Sequence, residues 1–131
     1  ISLIGTRPDK PKISSFKELL VWQKSMKLTT VIYKLTENFP QQEIFGLTSQ
    51  MRRAAVSVPS NIAEGSIRGS KKEFCHFLRI SLGSVAELKT QIEIAKSLPF
   101  GLSLDYNEPE ELLEEISKML NGLIVSLRRN S

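Results

Sequence analysis

The chain's one histidine, His76, directly follows its one cysteine in the run Glu73-Phe74-Cys75-His76. Such a run suggests two chemistries. An E-x-x-H string on a helix is part of the carboxylate and histidine set that holds two metal ions inside a four-helix bundle. A cysteine beside a histidine is the raw material of an activated thiol nucleophile. Spacing argues against both. A two-metal site of that kind takes two such strings and two further glutamates, which one histidine cannot complete within a chain. With Phe74 on an apolar helix face, Glu73 and His76 fall roughly 100–160° away from it and point outward. Successive helical residues diverge by about 100°, so the thiol and the imidazole do not face each other. Neither a G-x-x-x-x-G-K-S/T phosphate loop nor a G-x-G-x-x-G string occurs. Glu110, Glu111, Glu114 and Glu115 read as solvated residues favoured by the helix dipole rather than as an acid–base pair. The expectation is a non-enzyme with no catalytic residue, metal ligand or cofactor.

A different chemistry is carried by Arg52, Arg53, Arg68, Lys71, Lys72 and Arg79. Lysine and arginine neutralise phosphates and gain affinity by releasing counterions, which needs no ordered code of side chains. These six bracket one inter-helix turn, so several can share a surface. Arg68, Lys71 and Lys72 also stand near a helix start, where backbone N–H groups favour anions. The competing reading is a solvated helix face, and no aromatic residues interleave as a platform for bases. A second set, Arg53, Ser57, Ser60 and Glu64 with Asn61 beside it, makes a polar stripe at helical spacing. Such a stripe either forms a binding crevice or lets another helix approach while its polar groups fix the register, and the second reading is preferred. Arg53 and Glu64 stand too far apart along one helix to pair. Trp22 reads as core or interface, and Phe77, about 60° off the seam of its helix, suits a subunit contact.

The elements that must position these residues follow from composition and period. A chain of 131 residues makes one domain, able to bury roughly 65–70% of its unfolded surface without disulfide or metal. A lone cysteine makes no intrachain disulfide, which points to a reducing cytoplasm. No apolar run reaches the ~18–20 residues of a membrane span, and "ISLIGTRPDKPKISS" lacks the basic, apolar, small order of a signal peptide. Residues 46–79 carry six Lys/Arg against two Asp/Glu, while residues 80–131 carry five against eight. That asymmetry suits an anionic partner or complementary contacts within an assembly.

Residues 1–14, with Gly5, Pro8 and Pro11, are expected to form a flexible tail, and 15–129 one bundle domain. Phe16, Leu19, Leu20, Trp22, Met26, Ile32, Tyr33, Leu35 and Phe39 predict a helix over about 16–38, with Ser15 and Glu18 at capping-box spacing and Pro40 ending it. Leu47, Met51, Ala54, Ala55, Val58 and Ile62 form a stripe roughly 100° wide that keeps its phase across Pro59. One helix over about 44–64 is therefore expected, kinked at Pro59. Ser57 and Ser60 flank the kink and are placed to satisfy a freed backbone group, and Gly65 is the expected stop. Ser70 and Glu73 form a second capping box. It opens a helix over 71–97 whose heptad seam is Phe74, Leu78, Ser81, Val85, Leu88, Ile92 and Ala95. In "NEPEE", Asn107 is the expected N-cap of a helix over about 108–128, with Pro109 in its first turn and Leu113, Ile116, Leu120, Leu123 and Leu127 as its seam. The fold class is all-α, an antiparallel up-down-up-down four-helix bundle.

Val21-Trp22-Gln23-Lys24, Leu47-Thr48-Ser49-Gln50, Arg52-Arg53-Ala54, the string from Ser57 to Gly65, and Gly83-Ser84 with Glu87-Leu88 carry a resemblance. Over about residues 16–127 the chain resembles the four-helix-bundle family that includes the 23S ribosomal RNA intervening-sequence proteins. The resemblance implies a small non-enzymatic protein whose second helix carries the proline. A related branch, the accessory variability determinant of diversity-generating retroelements, forms basic pentameric barrels that bind nucleic acid and a reverse transcriptase. The resemblance therefore implies a homo-oligomer, a pentamer, with RNA or DNA as partner and a reverse transcriptase as a further one in a retroelement setting. RNA is favoured by the family's genomic setting. In this reading the six basic residues meet nucleic acid, and Trp22, Ser57, Asn61, Glu64 and Phe77 lie at subunit contacts. The alternative is a structural scaffold or protein-interaction module, in which the basic cluster meets the acidic fourth helix of a neighbour.

Overall fold

Four helices carry residues 15–129, the part of the chain that the computed structural model describes: α1 Leu20–Thr36, α2 Leu47–Ser66, α3 Lys71–Ser97 and α4 Asn107–Arg129. Short 3-10 turns stand at Phe16–Glu18, Gln41–Glu43 and Pro99–Gly101, and no β-strand occurs among the described residues. The fold is all-α, with four long helices. The tail expected over 1–14 lies outside the described residues.

The first helix is shorter than its apolar spacing suggests. Ser15 accepts from the Lys17 N–H and caps a 3-10 turn, and Leu19 is extended at φ −72°, ψ 123°, so the α-helix starts at Leu20. The break resets the phase. Val21, Ser25, Leu28, Ile32 and Leu35 are buried, whereas Leu20, Met26 and Tyr33, which the sequence places on the apolar face, are 45%, 42% and 41% exposed. Ser25 masks the true seam in the sequence. Its hydroxyl donates to the Val21 carbonyl at 2.7 Å and so satisfies a polar group that sits in the core.

Helix α2 runs unbroken through Pro59, as the constant phase of its apolar stripe requires, and Leu47, Met51, Ala54, Ala55, Val58 and Ile62 are all buried. Proline has no N–H, so the Ala55 carbonyl four residues back loses its intrahelical donor. The donor comes from another helix: the Thr29 hydroxyl of α1 reaches the Ala55 carbonyl at 3.1 Å, while also lying 2.9 Å from the Ser25 carbonyl. Ser57 and Ser60 do not take that role. The helix start also moves from the expected 44, because the Glu43 carboxylate accepts from the Leu47 N–H at 3.2 Å and Gln41–Glu43 is a 3-10 turn. Gly65 is not the stop. It lies inside α2, where a Cβ would stand 2.7 Å from the Phe77 Cβ and 3.1 Å from Phe74 Cδ1, so it is a glycine of close helix approach. The left-handed turn residue is Gly69, at φ 92°.

Helix α3 matches its expected bounds, and the Ser70 side chain accepts from the Glu73 N–H at 3.1 Å. Its seam is buried from Leu78 to Ala95, but at its first turns Cys75 rather than Phe74 is the buried residue. At α4, Asp105 and not Asn107 caps: its carboxylate accepts from the Asn107 N–H at 2.9 Å, and Asn107 is itself helical.

Each helix packs against two others, α1 on α2, α2 on α3, α3 on α4 and α4 on α1. Thr36 meets Arg52 while Thr29 meets Ala55; Ser84 meets Ser57 while Ser81 meets Val58; Lys96 meets Glu110 while Lys89 meets Glu114. Leu28, Ile32, Met51, Val58, Ile62, Leu78, Leu88, Ile116 and Leu120 are fully buried between them.

Candidate nucleic-acid interface

Burial of the α3 and α4 seams leaves the outer sides of Lys71, Lys72, His76 and Arg79 exposed next to the last turns of α4. The two helices part there around a cleft of about 520 Å³, lined by Lys71, Lys72, Cys75, His76, Arg79, Leu127 and Arg128. Among the described residues that line it, four are cationic and none is acidic. Leu127 is partly buried and the Cys75 thiol is buried, 4.0 Å from the Ile124 carbonyl, so the interior of the cleft is apolar and its exposed edge is positive. The cleft also lies at the first turn of α3, whose backbone N–H groups add positive potential.

The six basic residues singled out in the sequence do not form one surface. Lys71, Lys72 and Arg79 share this cleft. Arg68 stands on the turn between α2 and α3, 3.1 Å from the Glu64 carboxylate and 3.9 Å from that of Glu73, with its guanidinium 4.9 Å from the Phe77 ring centre. Arg52 is tied to the end of α1: its Nε donates to Thr36 Oγ1 at 2.8 Å, its Nη2 to the Tyr33 carbonyl at 3.3 Å, and its guanidinium lies over the Tyr33 ring. About 20 Å of helix separates Arg53 from the end of α2. His76, which spacing alone marks only as a misleading metal signal, and Arg128, near the end of α4, join the cleft because α4 packs on α3.

The residues expected at subunit contacts divide as well. Ser57 Oγ accepts from Asn61 Nδ2 at 2.9 Å and stands 2.9 Å from Ser84 Oγ, which links α2 to α3. Trp22 is partly buried, edge-on to Phe16. Phe77 lies between the Arg68 guanidinium and the His76 ring, and Glu64 pairs with Arg68. What periodicity missed is Phe45, 95% exposed, beside a second cleft of about 450 Å³ lined by Ser49, Gln50, Arg53, Ala54, Ser57 and Glu87. That cleft opens on the polar stripe of α2. No amphipathic period flags Phe45, because it sits in the turn before the helix.

Among the described residues, no group of three or more His, Cys, Asp and Glu side chains is placed to hold a metal ion, and no helix is long and apolar enough to cross a membrane.

Fold and site together describe a small four-helix protein with an electropositive cleft. The family model described as 23S rRNA-intervening sequence protein matches residues 17–122, more than half of the chain, and the chain belongs to that family. No curated protein matches it.

Proposed function

We propose that this chain acts by binding rather than by catalysis, as a homo-oligomer whose α3–α4 cleft engages nucleic acid, RNA before DNA. The observation that carries the reading is the cleft itself, where four cationic side chains, Lys71, Lys72, Arg79 and Arg128, converge among the described lining residues. Cations placed this way attract phosphate through counterion release. The exposed edge is formed by Lys71, Lys72, Arg79 and Arg128, while Arg52, Arg53 and Arg68 make the wider positive field of residues 46–79. The bundle is antiparallel, up-down-up-down, which is supported by contacts whose residue numbers rise on one helix as they fall on the next. Pro59 bends α2 at the turn where Thr29 fills the missing bond.

Assembly uses the outer face of α2. Phe45 protrudes beside the cleft at Ser49, Arg53 and Ser57, and Ile44 next to it is 43% exposed, so the turn before α2 presents two adjacent apolar side chains for a contact. Trp22, Asn61, Glu64 and Phe77 are assigned to further subunit contacts, and a ring of five subunits is the expected closure. In a retroelement setting, a reverse transcriptase is the further partner. The scaffold alternative, in which the basic cluster meets an acidic α4 from a neighbour, is disfavoured by one observation. Glu110, Glu114 and Glu115 of α4 already pair with Lys96, Lys89 and Lys24 of the same chain, at 2.6, 3.0 and 3.3 Å.

Charge reversal separates the two readings. The pair Lys72→Glu and Arg79→Glu should abolish binding of a labelled structured RNA in fluorescence anisotropy while leaving the mass in light scattering unchanged. Intact RNA binding with a broken oligomer would transfer these residues to assembly.

A further inference from the structure

The cleft is concave and partly apolar, and a surface that reads only phosphates needs neither property. Its volume of about 520 Å³ lies within the roughly 300–1,000 Å³ of small-molecule sites. Inside stand Leu127 and the buried Cys75 thiol; around the edge stand Lys71, Lys72, Arg79 and Arg128; and the exposed His76 imidazole completes the lining. That imidazole lies edge-on to Phe77, 5.3 Å between ring centres and 77° between planes, and presents a flat group at the cleft mouth.

Duplex RNA offers such a recess nothing. Its bases are stacked inside the helix, and proteins engage its sugars and phosphates across a wide, shallow groove. A group that would fill an apolar interior while leaving negative charge at a cationic edge is a nucleotide out of the stack, as at a bulge, loop or strand end. Unstacked bases are held by apolar walls, imidazole rings and guanidinium planes. Leu127, His76, Arg79 and Arg128 provide all three kinds around one opening.

Resting on the nucleic-acid reading above, we infer that the α3–α4 cleft takes a single unpaired nucleotide of RNA, its base against Leu127 and His76 and its phosphate among Lys71, Lys72, Arg79 and Arg128. The protein thus selects RNA interrupted by an unpaired residue over continuous duplex.

Two hairpins of equal length test this, one fully paired and one with a single bulged nucleotide, each titrated with the full chain by fluorescence anisotropy at one salt concentration. The bulged hairpin should bind about tenfold more tightly, the scale of one stacked base. Leu127→Asn should bring the ratio of the two hairpin affinities, measured on the same variant, from about tenfold to about twofold or less. Because the chain has one histidine, its imidazole Cε1–H gives a single, unambiguously assigned signal in carbon-edited NMR. Adenosine monophosphate should shift that signal saturably, and inorganic phosphate should shift it far less. Equal affinity for both hairpins, or an equal shift with inorganic phosphate, would overturn the inference and leave a phosphate-binding surface standing. Failure to bind either hairpin at low salt would overturn the broader reading along with it.

Discussion

At Pro59 a backbone defect in one helix is answered by a side chain of another. A proline inside a helix costs about 3 kcal/mol or more, partly through the carbonyl it leaves without a donor, and here the Thr29 hydroxyl reaches that carbonyl on Ala55. Thr29→Val should therefore destabilise the protein by about 1–2 kcal/mol in urea unfolding. In a Pro59→Ala background, where the alanine N–H serves Ala55, the same change should cost about half as much or less. Equal costs in both backgrounds would separate Thr29 from the proline. Gly65→Ala should cost about 1–3 kcal/mol, because its Cβ would meet the Phe77 Cβ at 2.7 Å. The continuity of α2 was legible in the sequence, since Leu47 to Ile62 keep one phase across the proline. The roles of Thr29 and Gly65 were not. Each depends on which residue of another helix lies opposite, and a period along one helix carries no such information.

Between elements, the α3–α4 contact is bordered by ion pairs that give it a pH signature. Lys89 donates to Glu114 at 3.0 Å and, through that bond and its charge, holds the Glu114 carboxyl below the ordinary range. The pair's contribution is present above the ordinary carboxylate value and is lost as pH falls through the lower folded-state value. Glu114→Gln should accordingly flatten the acid limb of a plot of melting temperature against pH. At the other extreme, Glu110 raises Lys96, opposed by burial and aided by Glu93. Burial raises the Tyr106 phenol, with the Lys96 charge acting against it, and that phenol donates to the Gly101 carbonyl at 2.8 Å. Both contributions are present below the ordinary values of these groups and are lost as pH rises through the raised ones. Ultraviolet titration of a Tyr33→Phe variant, which leaves Tyr106 as the only tyrosine, should show it ionising above free tyrosine. Sequence signals served the elements unevenly. The capping box at Ser70 and Glu73 and the heptads from Leu78 placed α3 correctly. At α1 and α4, Leu19 adopting an extended conformation and Asp105 capping ahead of Asn107 moved the starts, because local hydrogen bonds of a turn compete on equal terms with the first bonds of a helix.

For the whole molecule, function follows from what packing brings together. Lys71, Lys72 and Arg79 were visible as charge, but Arg128 is about fifty residues away in sequence and reaches them only because α4 lies on α3. The same packing shows why Arg52 and Arg68 differ from the rest, one tied to the end of α1 and the other paired with Glu64. Assembly belongs to this scale as well. Phe45→Glu, at a side chain 95% exposed, should leave urea stability within about 0.5 kcal/mol yet lower the mass measured by light scattering. An unchanged mass would exclude the Phe45 face from the interface. The claim that the α3–α4 cleft binds RNA phosphates is tested most directly by the salt dependence of hairpin RNA affinity, for the wild-type chain and for Lys72→Gln with Arg79→Gln. The wild type should bind with log affinity falling linearly against log salt, and the double variant should lose roughly 1.5 from that slope, the share of two phosphate contacts. The same slope in both proteins, or no wild-type binding at low salt, would contradict the assignment.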